Sequence, residues 1–92
     1  MRYICVQWLT SDRECPELLY SELDDDRYEV RKVYKYKDGS VVYADNKHFD
    51  DNVFLGDKPV PTLDEIAENR EFLPNEISQQ EFEKVWEVAI AQ

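Results

Sequence analysis

Residues 27–37 alternate between two kinds of side chain, and this alternation constrains the fold more than any other feature of the sequence. One set of alternate positions is mostly aromatic or aliphatic: Tyr28, Val30, Lys32, Tyr34 and Tyr36. The other set is mostly charged: Arg27, Glu29, Arg31, Val33, Lys35 and Lys37. Because successive side chains of a strand point to opposite faces of a sheet, the segment predicts an antiparallel strand with a buried tyrosine face and an exposed basic face.

Asp38-Gly39 follows this strand, and Asp-Gly between two alternating segments predicts a β-hairpin with a two-residue turn. That turn places Tyr36 opposite Val41, Tyr34 opposite Tyr43, and Lys32 opposite Asp45. The register accounts for Lys32 on an otherwise apolar face, because the lysine meets an acidic side chain where the strand ends. Contact between Tyr34 and Tyr43 therefore tests the turn assignment.

Two shorter strands are predicted before the hairpin. Residues 2–9 are largely apolar on both faces, which is typical of a central strand. Residues 10–16 are polar and form a loop, and residues 17–23 form the second strand. Residues 24–26 are three consecutive aspartates, which disfavour strand interiors and are tolerated in turns.

Two helices are predicted near the C-terminus. Thr62 can cap a short helix over residues 63–69, and Phe72-Leu73-Pro74 ends it. Residues 78–81, Ser-Gln-Gln-Glu, form a capping box in which the serine hydroxyl and the glutamate carboxylate reciprocally accept backbone N–H groups. The apolar stripe of the second helix consists of Phe82, Val85, Trp86 and Ala89, at the spacing of one helical face.

These elements predict an α+β fold, in which two C-terminal helices pack on one face of a four-stranded antiparallel sheet. The irregular stretch over residues 46–61 contains Val53-Phe54-Leu55, which adds a brief strand or simply fills the core. A chain of 92 residues with 42% hydrophobic and 35% charged residues is typical of one globular domain, here residues 1–92. The absence of a signal peptide and of a long apolar segment favours a cytoplasmic location and no membrane partner.

The formal net charge of −10 is unevenly distributed. Residues 1–26 carry −5, residues 27–47 carry +3, and residues 48–92 carry −8. Such a field repels the phosphates of nucleic acids and accelerates the encounter with a basic protein. A surface that serves only solubility is the simpler interpretation of the same charge.

Few residues suggest catalysis or cofactor binding. His48 is the one histidine, and no spacing of histidines and cysteines predicts a metal site. Cys5 lies within a strand, and Cys15 lies in an acidic stretch that does not activate a thiol. With only two glycines, the chain has no glycine-rich phosphate loop. We therefore expect no enzyme, no cofactor and no metal.

Two alternatives remain open. A small-ligand or enzymatic site could lie between sheet and helix, lined by Trp8, Tyr20 and Trp86. The exposed basic face of residues 27–37 could instead bind RNA, although RNA-binding sheets present aromatic side chains beside their basic residues. In this strand the tyrosines alternate to the opposite face, so nucleic acid is the less favoured partner.

Several segments together resemble a known family. They are Trp8, Tyr20-Ser21-Glu22-Leu23-Asp24, Arg27-Tyr28-Glu29-Val30-Arg31-Lys32-Val33, Asp38-Gly39, Tyr43-Ala44, Pro61, Leu63 and Glu65-Ile66. Their order is similar to that of a family of short acidic bacterial proteins described only as a domain of unknown function. The resemblance implies a bacterial cytoplasmic protein, and it transfers no catalytic or binding residue.

Small acidic bacterial proteins without catalytic motifs often neutralise a cognate toxin, so analogy of class points to an immunity protein. The expected partner is a basic, nuclease-type toxin, with acidic side chains in place of nucleic-acid phosphates. The expected contact residues are Glu22, Asp24, Asp25, Asp26, Asp50 and Asp51. The sequence leaves the oligomeric state and the strand order undetermined.

Overall fold

A computed structural model describes residues 1–49 and 53–92 and has an α+β fold with an antiparallel sheet and two helices. The elements are β1 (Arg2–Trp8), β2 (Pro16–Leu23), β3 (Glu29–Tyr36), β4 (Val41–Ala44), α1 (Leu63–Ala67), β5 (Phe72–Glu76) and α2 (Gln79–Ile90). The strand order is β4-β3-β2-β1-β5. The predicted fold class is confirmed, but the prediction of four strands is wrong, because the sheet has five.

The additional strand is β5, at one edge of the sheet. The sequence predicted only the end of a helix at Phe72-Leu73-Pro74, but the backbone continues there as the antiparallel partner of β1, with Asn75 opposite Cys5. The N–H of Ile77 donates to the carbonyl of Tyr3 at 2.9 Å. Because the backbone groups of alternate residues point to the same neighbouring strand, those of Leu73 point toward β1 and the backbone nitrogen of Pro74 points away from it. Proline is tolerated on the open side of an edge strand, where no ladder hydrogen bond is lost.

The hairpin between β3 and β4 has a different register from the predicted one. Tyr34 pairs with Val42 and Val33 pairs with Tyr43, so the predicted neighbours Tyr34 and Tyr43 lie on opposite faces. The connection has three residues, with Gly39 last at φ 91°, where the left-handed conformation favours glycine. Adding one residue to the turn moves every β4 side chain to the other face relative to β3.

The helix α2 covers one face of the sheet. Phe82 is fully buried, and its ring lies 5.5 Å from that of Tyr3 between centroids. Trp86 lies edge-on to Tyr43 at 5.2 Å. This face also carries Arg31, whose guanidinium carbon lies 5.0 Å from the centroid of each of the Phe82 and Trp86 rings. The sequence predicted that the C-terminal helix packs on the tyrosine face of β3, which includes Tyr34. That prediction is wrong, because α2 packs on the opposite face, which carries Arg31.

The opposite face packs against α1 and the chain that precedes it. Ile4, Val6 and Leu23 form its buried cluster. The partly buried residues packed against this cluster are Leu19, Val60, Leu63, Ile66 and Phe72. The prediction that both helices pack on one face is wrong, because the central strands are apolar on both faces and each face needs a cover.

Both helices begin at the predicted residues, and their caps differ in detail. At α1, Thr62 and Glu65 form the complete reciprocal capping box. At α2, Ser78 Oγ accepts the N–H of Glu81 at 3.1 Å, which is one half of the predicted box. In the irregular stretch, Val53 is buried at 2% exposure and lies outside any strand, so it fills the core.

Candidate functional site

The connection between β2 and β3 is an acidic turn, defined here as residues 24–28. Asp24 Oδ1 accepts the backbone N–H groups of Asp26 at 2.9 Å and Tyr28 at 3.0 Å. The carboxylates of Asp25 and Asp26 are directed outward and exposed. The N-terminal ammonium lies 3.8 Å from Asp25, whose side chain is fully exposed. Asp24 thus holds the turn, while the side chains of Asp25 and Asp26 are accessible to another molecule.

Arg27 attaches the acidic turn to the chain that precedes α1. Its Nε donates to the carbonyl of Val60 at 2.8 Å and its Nη2 to the carbonyl of Pro61 at 2.6 Å. The N–H of Val60 donates in return to the Arg27 carbonyl at 2.8 Å. Arg27 has φ 69°, which is uncommon for a residue with a side chain, and these hydrogen bonds hold it there. No pattern in the sequence predicted this contact between distant segments.

Glu22, one of the predicted contact residues, lies in the interior. It forms a bidentate ion pair with Arg31, at 2.7 Å from Nε and 2.9 Å from Nη2. The same guanidinium also pairs with Glu83 of α2. We call Glu22, Arg31 and Glu83 the Arg31 cluster. The Glu22 side chain is 7% exposed, so the structure places this carboxylate under α2 rather than on a docking surface.

The Arg31 cluster shifts the pKa values of its members. The hydrogen bonds from Arg31 hold the pKa of Glu22 below its usual value, although burial opposes the shift. Hydrogen bonding to Glu22, reinforced by Glu83, raises the pKa of Arg31. Both groups are therefore charged at neutral pH, and the cluster anchors α2 to the sheet.

A second buried ion pair lies on the opposite face. Lys32 Nζ donates to Glu29 Oε1 at 3.0 Å and to the carbonyl of Phe54 at 2.8 Å. The predicted partner, Asp45, is not its partner, because the one-residue change in register places Ala44 opposite Lys32. Burial alone would lower the pKa of Lys32, but Tyr34 and Glu29 outweigh burial and raise it.

The basic face predicted for residues 27–37 is partly covered in the structure. Arg31 lies beneath α2, and Arg27 donates to backbone carbonyls. Lys37 donates to the carbonyl of Thr10, and both Lys35 and Lys37 remain exposed. The predicted basic face is therefore partly covered: two of its four cations are held inside the fold and two lie at the surface.

The three aromatic residues of the small-ligand alternative do not line a common site. The Trp8 ring packs against Phe72 at 5.4 Å, on the α1 face of the sheet. Trp86 contacts Tyr43 on the α2 face, and Tyr20 lies opposite Cys5 on that same face. The sheet separates Trp8 from the other two residues. An open groove does lie between the sheet and α1, but other residues line it.

Catalytic and metal-binding chemistry has little support in the part of the chain that the structure describes. His48 stacks on Tyr43 at 4.2 Å. Burial raises the pKa values of the Cys5 and Cys15 thiols, which makes both less reactive. Within residues 1–49 and 53–92, no three side chains of His, Cys, Asp or Glu are grouped to hold a metal ion. Asp50 and Asp51, two predicted contact residues, lie outside the described residues.

A family model described as a domain of unknown function (DUF6881) matches residues 2–91. The chain belongs to this family. Membership in DUF6881 confirms the predicted resemblance to an uncharacterised family that covers nearly the whole sequence. No curated protein and no solved structure matches the chain.

This DUF6881 member has two helices, α1 and α2, among its described residues. Crossing a bilayer takes about 20 apolar residues in a helix. The longer helix, α2, has 12 residues, and among the described residues no helix has the length and apolarity to cross a bilayer.

Proposed function

We propose that the protein is a non-catalytic binding module whose acidic turn docks on a basic protein partner. The observation that carries the proposal is the geometry of the turn: Asp24 and Arg27 hold its backbone, and the carboxylates of Asp25 and Asp26 remain exposed. A turn that is ordered before binding loses little conformational entropy when a partner docks. Its two exposed carboxylates then present negative charge from a backbone that is already held in place.

The distribution of cations supports the same proposal. Residues 27–47 are the one basic section of the chain, with a formal charge of +3. In the fold, Arg27, Arg31 and Lys32 of this section are bound to internal partners. Lys35, Lys37 and Lys47 of this section remain exposed, so internal contacts withdraw half of its six cations from the surface of a protein with net charge −10. Such a field steers a positively charged partner to the surface.

In its specific form, the proposal is that the chain is a bacterial cytoplasmic immunity protein, and that its partner is a cognate nuclease-type toxin. Nucleases that act on phosphodiesters carry basic surfaces, and carboxylates on a rigid turn can occupy the phosphate positions. Asp25 and Asp26 are the principal contact residues of this interface, and Asp24 supports them. Close charge pairs at such interfaces couple by about 1.5–7 kcal/mol.

The test measures association with the protein encoded beside this chain's gene, by stopped-flow fluorescence at several salt concentrations. The variant Asp25→Lys/Asp26→Lys keeps Asp24 and so keeps the hydrogen bonds that shape the turn. We expect its association rate at low salt to fall more than tenfold, and its salt dependence to flatten.

The matched control is Glu14→Lys/Glu87→Lys, which changes the net charge equally at two exposed positions outside the turn. We expect this control to slow association much less, because it alters the overall field but not the docking surface. Equal slowing by the two double variants would remove the acidic turn as the contact site. For the immunity role, co-expression of the wild-type chain should protect cells from the toxic partner, and the turn variant should not.

A further inference from the structure

An open groove of about 230 Å³ lies between the sheet and the segment that contains α1, on the face opposite α2, and we call it the α1 groove. Its apolar lining consists of Ile4, Val6, Leu19, Val60, Ile66 and Phe72. The first two are buried, whereas the other four are half-buried and accessible to solvent. Small-molecule sites usually measure about 300–1,000 Å³, but a space of ~150 Å³ accepts one benzene ring. The α1 groove therefore has the size for one large apolar side chain of another protein.

The α1 groove adjoins the acidic turn through Val60. This residue lines the groove, and its N–H donates to the carbonyl of Arg27 while its carbonyl accepts from Arg27 Nε, both at 2.8 Å. Arg27 directly follows Asp25 and Asp26, whose side chains are exposed. Because an extended chain advances about 3.3 Å per residue, a partner segment that contacts these carboxylates reaches the groove within a few residues.

The charge around the α1 groove selects its occupant. Residues 24–28 hold three aspartates and one arginine, a formal charge of −2, and residues 56–71 hold five acidic and two basic residues, a formal charge of −3. All seven charged residues of the second segment are exposed. Within the groove, Glu29 is paired with Lys32 at 3.0 Å, so this pair adds no net charge. A basic segment is therefore attracted to both borders of the groove, whereas a second copy with net charge −10 is repelled.

We propose that the α1 groove is the apolar half of the docking surface, and that it receives one large apolar side chain from a partner segment in which lysines or arginines flank that side chain. The flanking cations lie against the acidic turn, and the apolar side chain lies among Leu19, Val60 and Ile66. This inference rests on the docking function proposed for the acidic turn and names the chemistry of the partner segment. A few buried apolar side chains dominate the affinity of most interfaces, and the charges around them set orientation and association rate.

The test is a ¹H–¹⁵N NMR titration of the full chain with two peptides whose ends are blocked, Lys-Arg-Phe-Arg-Lys and Lys-Arg-Ala-Arg-Lys. Both peptides should shift the amides of residues 24–28, and only the phenylalanine peptide should shift those of the groove residues. We expect the phenylalanine peptide to bind at least fivefold more tightly, because its ring is removed from water.

Two matched variants locate the apolar contact. Val60→Trp fills the α1 groove from a loop and keeps the backbone that bonds Arg27, so it should reduce the affinity of the phenylalanine peptide to that of the alanine peptide. Val88→Trp makes the same change at a 55% exposed position of α2 and should leave the affinities of both peptides unchanged. The two peptides differ on wild-type protein without any variant, so that comparison decides the proposal even if Val60→Trp does not fold.

The outcomes separate the groove from the acidic turn. Equal affinity of the two peptides for wild-type protein, with both weakened by Asp25→Lys/Asp26→Lys, would overturn the groove proposal and leave the acidic turn as a docking site. Unchanged binding of both peptides to Asp25→Lys/Asp26→Lys would instead refute the function proposed for the turn, and the groove proposal with it. Groove amides that shift with protein concentration alone would assign the groove to a second copy, which also overturns the proposal.

Discussion

Replacing Arg31 with methionine removes the cation between Glu22 and Glu83 while keeping a long side chain against Phe82. The loss of stability is large because the Glu22 side chain is only 7% exposed and Arg31 donates two short charge-assisted hydrogen bonds to it. Breaking a buried pair in this way costs about 3–5 kcal/mol. Arg31→Met should therefore destabilise the protein strongly.

Two further terms adjust this magnitude. Arg31 is 20% exposed and Glu83 is 37% exposed, so solvent screens the second ion pair and that pair contributes little. The cation–π contacts of the guanidinium with Phe82 and Trp86 are lost, each contributing about 0.5–1 kcal/mol. We therefore expect Arg31→Met to lower the free energy of unfolding by at least about 4 kcal/mol at neutral pH.

The assay is urea unfolding followed by tryptophan fluorescence, with Trp86 beside the altered site, at pH 7 and at pH 5. In wild-type protein the folded pKa of Glu22 is lowered, so its contribution is present above the unfolded pKa and is lost as the pH falls through the folded pKa. In Arg31→Met the buried carboxylate lacks its cation and its pKa rises instead. The difference in stability between the two proteins should therefore shrink as the pH falls.

The control is Arg13→Met, at an exposed loop position, which should change the free energy of unfolding by less than about 0.5 kcal/mol. The double variant Glu22→Met/Arg31→Met should recover much of the loss, because apolar side chains often replace a buried ion pair without cost. A loss below about 1 kcal/mol for Arg31→Met, or a difference from wild type that does not change between pH 7 and pH 5, would refute the claim that this cluster anchors α2.

Three other predictions concern the turn, the caps and a buried tyrosine. Gly39→Ala should destabilise by about 1 kcal/mol in urea unfolding, because φ 91° is strained for a residue with a side chain although nothing lies within 4 Å of the added carbon. Thr62→Ala should lower the free energy of unfolding by about 1 kcal/mol, and Ser78→Ala should lower it by no more than that, because the α1 capping box is complete and that of α2 is not. A larger loss for Ser78→Ala than for Thr62→Ala would contradict the assigned caps. Burial raises the pKa of Tyr20 to about 12 and also raises that of Tyr3, so the phenolate absorbance of these two tyrosines should appear later than that of the others in an alkaline titration, and Tyr20→Phe should remove part of this late component.

The local elements of this protein follow from short-range patterns. The alternation in residues 27–37 predicts β3, and the stripe from Phe82 to Ala89 predicts α2, because the spacing of apolar residues depends only on the geometry of one element. Thr62 and Ser78 mark the helix starts for the same reason. β5 was missed because Pro74 disfavours a strand in general, and it is tolerated here only through its position at the sheet edge.

The candidate site was less predictable than the elements. The sequence does not distinguish the four carboxylates of Glu22, Asp24, Asp25 and Asp26 from one another. In the structure Glu22 is buried against Arg31, and Asp24 accepts hydrogen bonds that hold the turn. Lys32 is a charged residue on an otherwise apolar face of β3, and this pattern indicated a buried ion pair. The structure shows that ion pair, but the partner is Glu29 and not the predicted Asp45.

The sequence by itself determined the α+β class, the position of the hairpin, the starts of both helices and the acidic character of the chain, because each depends on neighbouring residues or on composition. Tertiary structure alone decided which face each helix covers, which carboxylates are buried, and where a groove remains open. The physical reason is that β1 is apolar on both faces. The pattern of one strand therefore does not determine which helix packs on which face of the sheet. One extra residue in the Gly39 turn also changes the face of every β4 side chain.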